Sequence, residues 1–224
     1  FINNMLSDLE NIKAYPYDCN EQLASKMSAM LLIEEVSDKG FMAAKGPGQW
    51  KSIRNKLLKN INSEKMFGWW PGGKSNTDIT LYVLDVLLQC TKGYNSDIRE
   101  VSFQLRNMMK ADPAQFETRQ QILVLDLLLE SNQYDTMDCV YHLRTLHPEN
   151  MPSFDQILFY SMEKKVYEKT DMKKVMALSR TTPMGNLYWP GDENSLFYND
   201  VKATAVAYEL LRTDPAYQYL LPRI

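Results

Sequence analysis

Glycine and proline, nine and ten residues out of 224, fall in clusters, and between the clusters apolar side chains recur at about 3.6-residue spacing. That rhythm commits nearly the whole chain to helix. The spacing predicts helices over 2–12, 20–36, 48–61, 77–92, 96–110, 115–130, 133–146, 153–167, 171–180 and 199–212, and no run alternates convincingly as a strand would. With 45% apolar and 24% charged residues, the chain has the balance of a globular protein, and residues 1–224 are expected to form one all-α domain.

The apolar patterns are of two sorts. Ile122-Leu123-Val124-Leu125 followed by Leu127-Leu128-Leu129 is apolar almost all round, as in a helix covered on most sides. The segment 96–110 instead keeps Ile98, Val101, Leu105, Met108 and Met109 on one face with charges opposite. Alternation of covered and half-wet helices is what two concentric rings of helices produce. An internal echo agrees: Trp70-Pro71-Gly72, a polar loop and Thr80-Leu81-Tyr82-Val83-Leu84 resemble Trp189-Pro190-Gly191, a polar loop and Thr204-Ala205-Val206-Ala207-Tyr208. Weaker copies begin at Thr118 and Phe154. Repetition of this kind predicts helical hairpins, each unable to bury its apolar face alone.

Charge excludes two partner classes. A net charge of -3 and a pI near 5.5, without a Lys/Arg cluster, leave no basic footprint for nucleic acid or for direct contact with an anionic membrane. No stretch has the uninterrupted apolar length of a membrane span, and Phe1-Ile2-Asn3-Asn4 lacks the layout of a signal peptide. A chain that starts at Phe1 and stops at Ile224 reads as a domain taken from a larger protein.

Cys19, Cys90 and Cys139 are an odd number, so they cannot all pair within the chain. Cys90 and Cys139 sit in apolar helical patterns and read as small buried hydrophobes. Cys19 differs. In Tyr15-Pro16-Tyr17-Asp18-Cys19-Asn20-Glu21-Gln22 it stands three residues before a carboxamide, at the expected start of a helix. A cysteine sulfur held against a glutamine side chain can displace ammonia and leave an internal thioester, an acyl group that awaits a nucleophile.

This octet, followed by Ser25 and a Met/Leu-rich helix, resembles the thioester segment of bacterial alpha-2-macroglobulin family proteins and is similar to the Pro-Tyr-Gly-Cys-Gly-Glu-Gln of vertebrate macroglobulins and complement components. Phe67-Gly68-Trp69-Trp70-Pro71-Gly72 running into Thr80–Leu84 resembles the family's Gly/Trp loop and second inner helix, and 200–211 its closing hairpin. The sequence departs from the family at Asp18 and Asn20, where glycine is common. Asn20 is expected to tolerate the left-handed backbone that glycine would allow, and Asp18 either to oppose a thiolate or to cap the helix.

The resemblance implies an alpha/alpha toroid of the terpenoid cyclase/prenyltransferase type, open at its C-terminal end. It implies a thioester between Cys19 and Gln22, supported by Tyr15, Pro16, Tyr17, Asn20 and Glu21, with Trp69 and Trp70 as candidate shields against water. It further implies a protease inhibitor, not an enzyme, that captures target proteases through lysine amines and works beside neighbouring macroglobulin-type domains. Its location would be periplasmic or extracellular, with any membrane anchor outside this stretch, and it needs no cofactor or metal. Some complement relatives use a histidine to redirect the acyl group to hydroxyls. Here His142 and His147 fall at a helix end before Pro148 and read as structural.

Two other readings stay open. The toroid persists in one while the chemistry is lost, leaving a docking scaffold. An alpha/alpha toroid hydrolase or prenyl-transfer enzyme is the other, and it would need paired carboxylates across a cleft or a metal set. Asp78, Asp85 and Asp126 are as well explained as caps or solvated faces, and Cys139 with His142 is too slight a ligand set for zinc.

Overall fold

The computed structural model describes residues 2–38, 48–90, 96–193, 195 and 197–224. Ten α-helices occupy the described residues: α1 Ile2–Lys13, α2 Asn20–Asp38, α3 Trp50–Lys59, α4 Thr77–Gln89, α5 Arg99–Ala111, α6 Thr118–Glu130, α7 Thr136–Leu143, α8 Ser153–Tyr167, α9 Met172–Ala177 and α10 Asp200–Arg212. The protein is all-α, as its periodicity requires. Residues 91 and 92, the expected end of the fourth helix, lie outside the described residues.

Short polar side chains set several helix starts. Asn76 accepts a hydrogen bond from the Ile79 amide to open α4, and Asn199 does the same from Lys202 for α10. Asp135 and Asp138 form a reciprocal capping box on α7, and Asp171 accepts from the Lys173 amide at α9. Strand structure is not wholly absent: β1 Arg180–Thr181 pairs antiparallel with β2 Leu187–Tyr188. Thr182 and Gly185 close that hairpin, and Gly185 takes the left-handed backbone the turn needs (φ +85°).

The chain divides into two compact units, Phe1–Gln115 with Leu127–Gln133, and Phe116–Asp126 with Tyr134–Ile224. In the first, α2 packs on α1, α3 and α4. Helix α4 is buried nearly all round, through Ile79, Thr80, Leu81, Val83, Leu84, Val86, Leu87 and Leu88. Helix α5 buries only Val101, Ser102, Leu105 and Met109, leaving Phe103 exposed. Covered and half-wet helices therefore coexist, as the sequence patterns require. In the second unit α8 packs on α7, α9 and α10, and α10 also meets β2 and the 3-10 turn Gln218–Arg223.

Each unit contains one copy of a loop-to-helix joint, and it corrects the register of the internal echo. Phe67 donates its amide to the Thr80 hydroxyl, which in turn donates to the Phe67 carbonyl (3.0 and 3.1 Å). Trp189 and Thr204 make the same pair of contacts (3.0 and 3.5 Å). The equivalent of Trp189 is thus Phe67, not Trp70. Both clamped aromatics have no exposed surface, whereas Trp70 is 60% exposed. Trp189 fills its site fully, donating its indole N–H to the Val175 carbonyl at 2.7 Å. The loops differ in length, so the register of the Trp-Pro-Gly triplets is three residues out from that of the joints.

Candidate functional site

Helix α2 begins at Asn20, which places Cys19 at its N-cap, where the Cys19 carbonyl accepts from the Leu23 amide at 2.9 Å. Cys19 is 5% exposed. Gln22 stands one turn further on the same face, since residues three apart on a helix are neighbours. Its Oε1 has no exposed surface and no hydrogen-bond partner, one of the few such atoms among the described residues. A buried amide oxygen left unpaired costs about 1–3 kcal/mol. The thiol residue and the carboxamide oxygen of the sequence motif are thus both withdrawn from solvent at the start of α2, although Gln22 as a whole is half-buried.

Asn20 plays a part that the sequence did not disclose. Its backbone is helical and not left-handed, the only non-glycine residues with positive φ among those described being Lys65, Asn132 and Glu168. Its side chain is fully buried. The amide Nδ2 donates to the Gly68 carbonyl at 2.9 Å, Oδ1 accepts from Asn60 Nδ2 at 2.8 Å, and the backbone N–H donates to the Trp69 carbonyl at 2.9 Å. Two of these three hydrogen bonds fasten the Trp loop to the Cys19 turn, and the third ties that turn to Asn60 at the end of α3. One first-turn N–H that could have polarised an acyl oxygen is spent on this tie.

The loop itself is built to hold its shape. Asn62 accepts from the amides of Glu64 and Met66 and donates to the Gly73 carbonyl and the Ser75 hydroxyl. Pro71 and Gly72 (φ +69°) occupy the middle of a turn closed by the Gly73 amide on the Trp70 carbonyl. At Gly68 a Cβ would fall 2.4 Å from the Lys74 carbonyl oxygen, so no side chain fits there. Trp69 and Trp70 project from this loop with 41% and 60% of their surface exposed. Tyr15 and Tyr17, before the cysteine, are also exposed, their rings 5.5 Å apart on either side of exposed Pro16.

Asp18 neither caps α2 nor stands as a lone charge beside the thiol. It pairs with Lys26 on α2 (3.1 Å) and with Lys56 on α3, and these hydrogen bonds, Lys56 first, hold its carboxyl below the ordinary aspartate range. The Asp18 contribution to stability is thus present above the unfolded pKa and is lost as the pH falls through the lower folded one. Its half-exposed setting keeps that contribution small. Glu21 accepts from the Ser25 hydroxyl at 2.8 Å, and Ser25 lies 2.8 Å from the Tyr82 hydroxyl on α4. Because the Ser25 proton goes to the carboxylate, the phenol donates to Ser25. Burial pushes the Tyr82 phenol up, which keeps it a donor.

The remaining sequence candidates have structural occupations. In the second unit Cys139 is buried and its thiol is pushed up to about 12, chiefly by burial, with Asp138, Asp126 and Asp135 adding. Cys90 is half-buried and raised by the same main cause. His142 stacks on Tyr134 (5.6 Å) and meets the edge of Tyr141, and burial lowers its pKa. His147 is exposed beside Glu149. Asp126 pairs with Lys165, and Asp78 lies in the first turn of α4. No group of three or more His, Cys, Asp or Glu residues suited to a metal occurs among the described residues. No helix there is long and apolar enough to cross a membrane.

Compared with known proteins, the chain matches no family model and no curated protein.

Proposed function

We propose that this chain is the thioester-bearing domain of an alpha-2-macroglobulin-like protease inhibitor, of the bacterial type that its octet resembles. The observation that carries the reading is the enclosed, unpartnered Gln22 Oε1 one turn from buried Cys19. A thioester carbonyl is a weaker hydrogen-bond acceptor than an amide, so an acceptor site without a donor penalises the carboxamide more than the thioester. The enclosure therefore biases the exchange toward product. In that exchange the Cys19 Sγ–H adds to the Gln22 acyl carbon, the C–N bond breaks, and the nitrogen departs with the thiol proton as ammonia.

A thioester survives only where water is kept away. The firmly tied Trp loop covers the Cys19 turn from one side through backbone contacts, and its exposed Trp69 and Trp70 rings suit burial under a neighbouring macroglobulin-type domain. Cleavage of a bait region elsewhere would part the two and admit a lysine of the attacking protease. The amine then takes the acyl group, C–N forms, C–S breaks, and Cys19 returns as a thiol. Capture happens once, so the chain is a trap and not an enzyme. The two copies of the loop-to-helix joint and the mixture of covered and half-wet helices support the toroid architecture that such domains share. A location outside the cytoplasm follows from this reading, because attacking proteases are met there.

The pairing of Asp18 with two lysines removes the unfavourable lone charge beside the thiol, and with it an objection to the chemistry. The test is mass spectrometry of the freshly prepared native protein. It should weigh one ammonia less than the encoded chain, take up methylamine at Gln22 and expose a new thiol at Cys19 on doing so. Cys19→Ala should abolish all three. A native protein of full encoded mass that takes up no methylamine would end the covalent mechanism.

A further inference from the structure

The amine closest in sequence register to Gln22 belongs to the protein itself. Lys26 follows Gln22 by four residues on α2, and side chains at that spacing stand about 5–6 Å apart at Cβ. Long helical side chains run back toward the N-terminus, over the turn before them. Lys26 does so fully: its Nζ reaches past the helix start to donate to the Tyr17 carbonyl at 2.9 Å and to Asp18 Oδ1 at 3.1 Å. Its stem therefore overlies the turn that carries Gln22 and Leu23. The side chain is only 10% exposed.

An acyl thioester with a lysine one turn away is threatened by its own chain. Intramolecular amines act at effective concentrations far above any that a solvent amine reaches. We propose that Lys26 is an internal acceptor site for the Gln22 acyl group, and that Asp18, braced by Lys56, protects the trap by holding the Lys26 nitrogen away from it. The proposal rests on the thioester reading and adds a role for the one motif residue that departs most from the family pattern. Two of the three Nζ protons of Lys26 are committed to acceptors that precede the helix, so the nitrogen is engaged ahead of the turn that carries Gln22. The carboxyl of Asp18 is held in its charged form by the same two lysines, so the restraint persists through neutral pH.

If the restraint fails, the step balances without any further reagent. The Lys26 ammonium releases a proton to solvent and its nitrogen attacks the Gln22 acyl carbon. The C–N bond forms, the C–S bond breaks, and the Cys19 thiolate takes up a proton. The product is an internal Gln22–Lys26 amide with a free Cys19 thiol. Its mass equals that of the thioester form, still one ammonia below the encoded chain.

The experiment compares the native protein with Asp18→Asn and with the double variant Asp18→Asn/Lys26→Met, reading methylamine uptake, free Cys19 thiol and the peptide spanning Gln22 and Lys26. Asp18→Asn should retain the ammonia deficit, lose most methylamine uptake, show a free thiol before any amine is added, and yield a Gln22–Lys26 cross-linked peptide. The double variant should regain uptake, which a general disturbance of the helix start would not permit. Unchanged uptake in Asp18→Asn, or lost uptake without the cross-link, overturns the protective role while leaving the trap intact. Absence of uptake in the unmutated protein overturns the trap itself, and this inference with it.

Discussion

Asn20→Ala is expected to lower the stability of the first unit by about 2–4 kcal/mol, because it strands the Gly68 carbonyl and the Asn60 amide, each costing about 1–3 kcal/mol when left unpaired in a buried place. Asn20 has no exposed surface, so water cannot take over its side-chain bonds without opening the joint. Only the backbone tie from residue 20 to the Trp69 carbonyl would remain, and the Trp loop would hold to the Cys19 turn by one bond in place of two. The chemical consequence should exceed the thermodynamic one: the acyl group hydrolyses faster, so freshly prepared Asn20→Ala protein carries less methylamine-reactive thioester than the parent. Urea unfolding midpoints measure the first effect and methylamine uptake the second. An unaltered midpoint together with unaltered uptake would show that Asn20 fastens nothing.

A larger loss of stability is expected in the second unit for Arg119→Met. Arg119 enters from the first turn of α6, donating Nε–H to Asp155 at 2.6 Å and an Nη1 proton to Asp192 at 2.9 Å. Its guanidinium lies 4.9 Å from the Tyr198 ring centre and 5.4 Å from that of Phe154. The Asp155 side chain is 7% exposed, and removing its partner leaves a buried charge uncompensated, a cost of about 3–5 kcal/mol. Acid should relieve it. Burial, against the pull of Arg119, already raises the Asp155 carboxyl above its ordinary value, so the folded state binds this proton more tightly than the unfolded state does. Stability therefore declines as the pH rises from the unfolded pKa through the folded one. Without Arg119 the folded pKa climbs further, and the relief on acidification begins at a higher pH. The gap between parent and variant should be widest near neutrality and should narrow on acidification to about pH 4, near the ordinary aspartate value, as Asp155 takes up its proton. Unfolding free energies at the two pH values check this, and a gap that stayed constant would refute the assignment.

The helices were legible because their signals are local. Each of the ten begins and ends within three residues of where periodicity and breakers set it, and Asn76, Asp135, Asp171 and Asn199 stand visibly at their starts. Strands of two residues offer no period to detect, so β1 and β2 left no trace in the sequence. At the candidate site the spacing of Cys19 and Gln22 was readable, since both sit on one helical turn. The role of Asn20 was not, because its partners Asn60 and Gly68 lie 40 and 48 residues away. The setting of Asp18 is hidden for the same reason. In sequence its charge stands against the adjacent cysteine, whereas in the fold Lys26 and Lys56 answer it from 8 and 38 residues distant. Neighbours in sequence are weak evidence about neighbours in space wherever loops carry the contact.

The uneven burial of the aromatic loops also gives the protein its own optical labels. Trp189 has no exposed surface and its N–H is satisfied, while Trp69 and Trp70 meet solvent and Trp50 is tied to Glu34 on α2. Indoles in such different surroundings emit at different wavelengths and differ in their access to a dissolved quencher such as iodide. The redder, more quenchable part of the emission is expected from Trp69 and Trp70 in the loop tied to the Cys19 turn, and the bluer, protected part from Trp189. Whatever covers or uncovers that loop would thus announce itself in the light the unmodified protein emits.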